Sequence, residues 1–255
     1  MRALSTIVVN GFRESVRNRV SAVAAAFTVL LLLGSTLVTE VTVYTMVRVL
    51  TDFGLGTMSL TLTLLAIFLS TSQLVREIER KTIFLIVSKP ISRGTFVLGK
   101  FGGTLLTLTV LLAVMGAVFL LQLLLYGAPI PSSTLAAIGM IVPELMVVCA
   151  VGVLISSFAG QVVSAVVTTG VFLAGHLGGD IYTLSQRSDD MAIRVLGKAT
   201  YSLLPNLDRL NLRPLAAYGL EVPWGETAQS VLYAVGYTTV LLSLAVWIFS
   251  RRDFR

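Results

Sequence analysis

The sequence is poor in the residues that build disulfide bonds, metal centres and water-soluble surfaces. It holds one cysteine, Cys149, and one histidine, His176, among 255 residues. A single cysteine excludes a disulfide bond within the chain, and these two residues cannot supply the three or four ligands of a zinc site. Charged residues make up 13% of the chain and hydrophobic residues 55%, whereas soluble domains carry about a quarter charged residues. The composition therefore indicates a protein embedded in lipid.

The positive charge of the chain is also explained by a membrane. The formal net charge is +6, which in a soluble protein would suggest binding to nucleic acid. Here the basic residues adjoin long apolar segments, an arrangement typical of membrane proteins. We therefore expect contacts with membrane lipids and no nucleic-acid partner.

Six apolar stretches are long enough to cross a bilayer. A span needs about 20 mainly apolar residues, and these runs are continuous rather than alternating as in barrel strands. The predicted fold is an all-α membrane protein, with six transmembrane helices in a single domain over residues 1–255. The predicted spans are residues 20–38, 58–74, 103–125, 135–155, 162–177 and 228–249.

The distribution of Lys and Arg predicts how the spans are oriented. If the N-terminus is cytoplasmic, thirteen of the 19 Lys and Arg residues fall on the inner side. Basic residues concentrate in the cytoplasmic loops of membrane proteins. We therefore expect a multi-pass protein with both termini in the cytoplasm.

The residues before the first span have the pattern of an amphipathic helix. Leu4, Val8, Phe12 and Val16 recur at every fourth position, and polar residues such as Arg13 fall on the opposite side. Such a helix lies in the membrane interface with its arginines towards the headgroups. The alternative is a solvated basic tail, which the regular apolar stripe disfavours.

The densest run of charge lies between the second and third predicted spans, in the sequence REIERKTIFLIVSKPISRGTFVLGK at residues 76–100. A helix over residues 77–88, at about 100° per residue, separates aliphatic side chains from charged ones. Phe84 falls among the charges and Glu79 among the aliphatic residues, and Pro90 ends the helix. An aromatic side chain on a wet face is typical of an anchor for a partner protein. The segment is predicted to dock a cytoplasmic protein; the alternative is an ordinary basic loop with a chance aromatic residue.

Glu144 is the most unusual residue within the apolar runs, since it lies near the middle of the fourth predicted span. An ionised carboxylate at that depth costs about 2.5–3.5 kcal/mol on insertion scales. It could contact a substrate, couple transport to protons, or form a hydrogen bond that holds two helices together. His176 and Asp180 lie at the outer end of the fifth span and lack companions for catalysis or metal binding, so a local hydrogen bond is favoured for them.

The charged segment resembles the signature of the ABC-2 family of ABC transporter permeases. The matching residues are Glu77, Glu79, Thr82, Ser88, Lys89, Pro90, Ser92, Arg93, Gly99 and Lys100. Similar motifs follow along the chain: Ser156-Ser157-Phe158, Leu204-Pro205-Asn206-Leu207 and Arg251-Arg252-Asp253-Phe254. The chain is most similar to the six-span branch typified by the nitrous oxide reductase maturation permease. Ile86-Val87 departs from that branch, in which Leu-Leu is common at this point.

The resemblance implies a non-catalytic membrane subunit of a bacterial cytoplasmic (inner) membrane transporter. Two permease copies would assemble with two cytoplasmic ABC ATPase subunits, which bind the ATP and Mg²⁺; this chain would bind no cofactor and no metal. The segment between spans 2 and 3 would be the coupling helix that docks the ATPase. Its docking residues would be Glu77, Glu79, Arg80, Lys81, Phe84, Ser88, Lys89, Pro90 and Arg93. The short inner loop with Ser156, Ser157 and Phe158 would make a second cytoplasmic contact.

The sequence itself supports a division of labour with a separate ATPase. A Walker A loop requires a Ser or Thr directly after its Gly-Lys pair. Gly99-Lys100 is followed by Phe101, and Gly197-Lys198 by Ala199. Neither pair fits, so we expect any ATP that drives this protein to bind elsewhere.

Several other functions remain open from the sequence. The same architecture could export a substrate. It could instead pass the movement of the ATPase to an extracytoplasmic partner through the outer loop at residues 178–227. A short helix is predicted within this loop, at residues 191–204. A stand-alone secondary transporter or a membrane scaffold would need no ATPase, but the internal repeat common in such transporters is not found. An intramembrane enzyme lacks a convincing catalytic set.

Overall fold

The computed structural model describes residues 8–11, 26–27, 29–30, 34, 43–79, 92–188 and 190–251 of the chain. Within these residues the protein is all helical, and no strand occurs. Seven helices are named here in chain order: α1 Val43–Glu79, α2 Arg93–Leu125, α3 Ser132–Ser156, α4 Gln161–Gln186, α5 Met191–Leu203, α6 Arg213–Tyr218 and α7 Trp224–Arg251. A short 3-10 helix, Asp208–Leu210, lies between α5 and α6.

Five of the described helices are long and apolar enough to cross a membrane. They are α1, over Val47–Gln73, and the whole of α2, α3, α4 and α7. α3 lies at the centre, packed against α1, α2, α4, α6 and α7, and most of its side chains are buried. The predicted first span, residues 20–38, lies mostly outside the described residues, so five of the six predicted spans can be compared with the structure.

The helices extend beyond the apolar runs that predict them. α1 begins at Val43 rather than at residue 58, and α4 continues to Gln186 rather than ending at residue 177. The added turns carry polar residues such as Asp52 and Asp180, at which a hydropathy pattern stops although the helix does not. Part of the loop predicted at 178–227 is therefore helix.

The bundle has two distinct ends. At one end the Arg93 guanidinium donates from Nη1 to the carbonyl of Ser250 at 3.0 Å, and the Thr104 hydroxyl donates to Gln73 Oε1 at 3.1 Å. We call this the Arg93 end. At the opposite end, which we call the Trp224 end, Arg48 of α1 donates to the hydroxyl of Tyr218 in α6. Consecutive long helices therefore run between the two ends.

The connection between α5 and α6 folds back into the bundle. Leu207 and Leu210 are 1% exposed and belong to the main hydrophobic core. The Leu207 backbone N–H donates to the carbonyl of Gly175 in α4 at 3.1 Å, and the Asn206 backbone N–H donates to the Tyr233 hydroxyl of α7 at 2.9 Å. We call residues 205–212 the inserted segment. It packs against α3, α4 and α7, so this part of the predicted outer loop belongs to the core of the bundle.

Of the predicted N-terminal amphipathic helix, only residues 8–11 are described. They are helical, and Gly11 approaches α2 at Gly103: a Cβ atom on Gly11 would lie 3.6 Å from the Gly103 Cα. The two glycines thus allow close contact between helices, as small residues do in membranes. The interfacial position of the remaining residues stays a prediction.

Candidate functional site

The predicted docking segment joins α1 to α2. Arg80, Lys81, Phe84, Ser88, Lys89 and Pro90 lie outside the described residues. Glu77 and Glu79 belong to the last turn of α1, and their side chains lie outside the described part of the chain. The docking role of these eight residues stays a prediction.

The two motif residues that begin α2 have defined contacts. Ser92 is the N-cap, and its Oγ accepts a hydrogen bond from the Thr95 N–H at 3.1 Å. Such a cap satisfies one of the free N–H groups of the first turn. Arg93 points to the last turn of α7, where its positive charge meets the carbonyl end of the helix dipole. Ser92 therefore fixes where α2 starts, and Arg93 ties that start to α7.

Aromatic packing extends the contact between α2 and α7. The rings of Phe96 and Phe249 stack at 6.3 Å between centroids, and Phe249 is 2% exposed. The two helices are thus joined by both a polar contact and an apolar one immediately beyond the docking segment.

The predicted second cytoplasmic contact follows α3. Ser156 and Ser157 are fully buried, and their hydroxyls donate to the carbonyls of Val153 at 3.0 Å and Leu154 at 2.6 Å. Phe158 is 53% exposed. The two serines thus satisfy carbonyls at the end of their own helix, and Phe158 is the exposed residue of the three. The second cytoplasmic contact stays a prediction.

Glu144 lies in the middle of α3 and is 2% exposed. At 1.5 Å per residue it is about 18 Å from either end of the helix. The Ser59 hydroxyl of α1 donates to its two oxygens, at 3.3 Å to Oε1 and 3.4 Å to Oε2. α3 remains continuous through Pro143, so the carboxylate is held by a regular helix.

His176 of α4 faces the same carboxylate. Its Nε2 atom is 3.6 Å from Glu144 Oε1, and its Nδ1 atom is 3.4 Å from the Phe172 carbonyl oxygen. The Phe172 ring packs against the imidazole at 4.7 Å between centroids. The structure thus brings together Ser59, Glu144 and His176 from three helices.

The inserted segment covers this cluster on the side of the Trp224 end. Gly175 precedes His176 and leaves no room for a side chain, because a Cβ atom there would lie 2.7 Å from the Pro205 carbonyl oxygen. Arg213 is half buried, donates from its N–H and Nε to Asn211 Oδ1 at 3.2 and 2.9 Å, and acts electrostatically on Glu144 and His176. The cluster is therefore enclosed by protein on that side.

A separate cavity of about 560 Å³ lies at the Trp224 end. Arg48 forms part of its wall, with the guanidinium 3.6 Å from the centre of the Tyr218 ring. Other lining residues are Thr51, Tyr126, Pro129 and Thr134. The cavity lies at the end of the bundle opposite to the predicted docking segment.

Comparison with known proteins assigns nearly the whole chain to one family. A sequence model described as "ABC-2 family transporter protein" matches residues 5–254, nearly the whole chain. The chain belongs to the ABC-2 transporter family. Membership implies a multi-pass membrane protein that is the permease subunit of an ABC transporter, a kind of subunit that is typically non-catalytic. No curated protein matches the chain as a relative.

The described part of this ABC-2 permease contains no group of three His, Cys, Asp or Glu side chains that could hold a metal ion. Cys149 is fully buried in α3 as a free thiol. The expectation that the chain binds no metal or nucleotide stays a prediction.

The sequence identifies Glu144 as unusual but does not indicate its surroundings. His176 does make the expected local contact, to Phe172, but it also faces Glu144, which lies 32 positions earlier on another helix. Ser59 carries no signal, because hydroxyl residues are frequent in α1. The Leu204-Pro205-Asn206-Leu207 motif is visible as a family feature, but nothing in the sequence indicates that Pro205 and Leu207 are buried.

Proposed function

We propose that this ABC-2 permease carries a substrate across the bacterial inner membrane, driven by ATP that a separate cytoplasmic ATPase hydrolyses. The family match over residues 5–254 is the observation that carries this proposal. The helices support it, since five of them can cross a membrane. ATP and Mg²⁺ would bind in the partner, because neither Gly-Lys pair of this chain has the Walker A sequence.

The coupling contact would lie at residues 77–93. A push on this segment would reach α1 and α2 directly, because it joins their ends. The bond from Arg93 to Ser250 and the stacking of Phe96 on Phe249 would then carry the movement into α7. Phe158 would add a smaller contact after α3. In this arrangement the Arg93 end is cytoplasmic, as the distribution of Lys and Arg predicts.

Two copies of the permease would form the membrane part of the transporter. α3 is largely buried within one copy, whereas α4 and α7 expose most of their apolar surface. Val162 and Val166 of α4 are 76% and 67% exposed. Lipid and a second copy are the surroundings that such surfaces require, and the family resemblance favours a homodimer.

Affinity purification tests the ATPase contact. The tagged chain, purified from native membranes in mild detergent, is expected to retain an ATPase with a Walker A motif and to show ATP hydrolysis. The double change Glu79→Ala with Phe84→Ala is expected to reduce the retained ATPase at least about tenfold, since truncation of anchor residues costs about 2 kcal/mol or more.

A matched control removes one acid and one aromatic residue at the opposite end, Glu226→Ala with Trp224→Ala. Trp224 is 63% exposed, and this double variant is expected to retain the ATPase fully. Undiminished retention after the change at Glu79 and Phe84 would overturn the docking role. Failure of the unaltered chain to retain any ATPase would instead favour a stand-alone transporter or scaffold.

A second candidate function passes the movement to an extracytoplasmic partner. It is favoured by α5, on which Met191 and Leu196 are 73% and 66% exposed beside Arg194 and Lys198. The resemblance to the nitrous oxide reductase maturation permease is in keeping with such a role. Cross-linking from Leu196→Cys in whole cells, with Leu232→Cys on α7 as control, would capture a protein only at α5 if this candidate is correct.

A further inference from the structure

Glu144 and His176 are the only acidic and basic side chains of the described bundle that meet at mid-membrane depth. α1 carries no charged residue between Asp52 and Arg76, α2 carries none after Lys100, and α7 carries none between Glu226 and Arg251. Asp180, one turn beyond His176, is exposed. The contact between α3 and α4 therefore contains one acid–base pair, with Ser59 of α1 beside it.

The hydrogen atoms of this contact can be assigned from its geometry. Nδ1 of His176 faces the Phe172 carbonyl, which can only accept, so Nδ1 carries a hydrogen. With a neutral imidazole and an ionised carboxylate, two acceptor atoms would face each other, Nε2 and Oε1, at 3.6 Å. Nε2 is buried and has no hydrogen-bond partner among the described residues. A proton on either Nε2 or Oε1 makes that atom a donor, so the repulsion between two acceptors becomes an attraction.

We propose that Glu144 and His176 form a proton-binding site, in which one proton is shared between Oε1 and Nε2 across the contact of α3 and α4. Ser59 donates to the same carboxylate, and an oxygen that accepts one hydrogen bond keeps a second lone pair for the imidazole. The proton moves from oxygen to nitrogen by exchange of an O–H bond for an N–H bond, and water is the only other reactant needed when it leaves.

The other charged and titratable groups near the pair lie on the inserted segment, at the start of α6 and on α7. Arg213 acts on both residues and Asp208 on His176. On α7, Tyr233 and Tyr237 lie 5.8 Å apart between ring centroids, and Tyr233 is engaged with Asn206. These groups tune the site, and none of them is placed between Glu144 and His176.

The site is mechanically linked to the inserted segment. Leu207 is bonded to the carbonyl of Gly175, the residue before His176. A shift of the inserted segment or of α4 relative to α3 therefore changes the distance from His176 to Glu144. Separation of the two helices would expose the shared proton to exchange with water, so a proton would be bound and released as the bundle changes shape.

The single histidine makes a direct test possible. Histidine labelled with ¹⁵N in the full-length chain, in lipid nanodiscs, gives signals from His176 alone. The imidazole signals are followed between about pH 4 and pH 9. When two groups share a proton, the charge of one is expected to change the pKa of the other by about one unit or more. Glu144→Gln is therefore expected to move the titration midpoint of His176 by at least about one pH unit.

Glu226→Gln makes the same chemical change outside the site and is expected to leave the midpoint where it is. If Glu144→Gln does not fold, Glu144→Asp retains the charge but withdraws it by one methylene, and a smaller displacement of the midpoint is expected. A midpoint unchanged by the foldable variant would overturn the proposal. Since no ATPase takes part, this test is independent of the proposed transport function.

Discussion

Gly175 determines how closely the inserted segment can approach α4. Its carbonyl accepts from Leu207, and a Cβ atom at this position would collide with the backbone of Pro205 at 2.7 Å. Because the obstructing atom is backbone, it cannot swing aside as a flexible side chain would. The contact between this segment and the helix beside Glu144 thus depends on one missing methyl group.

The change Gly175→Ala is expected to destabilise the protein. Overpacking at a tight contact costs about 1–3 kcal/mol, more than the gain in helix propensity of up to about 1 kcal/mol from Gly to Ala. The apparent midpoint of thermal unfolding in detergent is expected to fall.

Gly178→Ala is the matched control, three residues further along α4. A Cβ atom there meets nothing within 4 Å, so this variant is expected to be as stable as the unaltered protein or slightly more so. Equal midpoints for the two variants would contradict the assigned role of Gly175.

At the scale of single residues, the sequence identifies those that violate a simple rule. Glu144 is visible because a carboxylate interrupts an apolar run, and Phe84 because an aromatic residue interrupts a charged face. His176 breaks no rule at a helix that nears the membrane surface, and its partner is fixed by packing of α3 on α4. The family signature predicts Arg93 as a docking residue. Its contact with Ser250 is not predictable from the sequence, because the acceptor is a backbone carbonyl, which every residue carries.

At the scale of helices, the start of α2 and the end of α7 form one unit. The Arg93 hydrogen bond and the Phe96–Phe249 stacking join them next to the predicted docking segment. Arg93→Ala is expected to loosen the last turns of α7. The loss of about 1 kcal/mol for an exposed hydrogen bond corresponds to roughly fivefold faster amide exchange there.

Hydrogen exchange followed by mass spectrometry measures this effect on peptides from residues 240–251. Arg93→Lys, which keeps the charge but not the fork of donors, is expected to give an intermediate rate. Arg209→Ala removes an arginine that lies over the Tyr233 ring near the other end and should leave these peptides unchanged. An unaltered rate in Arg93→Ala would exclude the tie between α2 and α7.

The positions of the helices were more predictable than their ends. Apolar runs located α1, α2, α3, α4 and α7, because burial in lipid requires such runs. The helix predicted at 191–204 is present as Met191–Leu203, with Asp190 as a cap that accepts from the Ala192 N–H at 2.8 Å. The inserted segment was predicted as an outer loop because its polar and charged residues conceal the few leucines that enter the core.

At the scale of the whole molecule, the orientation follows from basic residues and can be measured. Lys89→Cys is expected to react with a membrane-impermeant maleimide in inside-out vesicles and to stay unlabelled in intact cells. The native Cys149 is fully buried, so the unaltered chain should give no background label.

Trp224→Cys, at an exposed site on the opposite end, is expected to show the reverse pattern. Labelling of Lys89→Cys in intact cells would mean that the Arg93 end faces outwards. The cytoplasmic docking contact would then be excluded.

The inserted segment also has a consequence for the order of assembly during synthesis. The Asn206 backbone N–H is satisfied by the hydroxyl of Tyr233, which belongs to the last helix to leave the ribosome among those described here. An unsatisfied N–H in an apolar setting is costly. Until α7 is made, the inserted segment lacks the hydroxyl that accepts the Asn206 N–H. We therefore expect the inserted segment to reach its final position only when α7 packs against it.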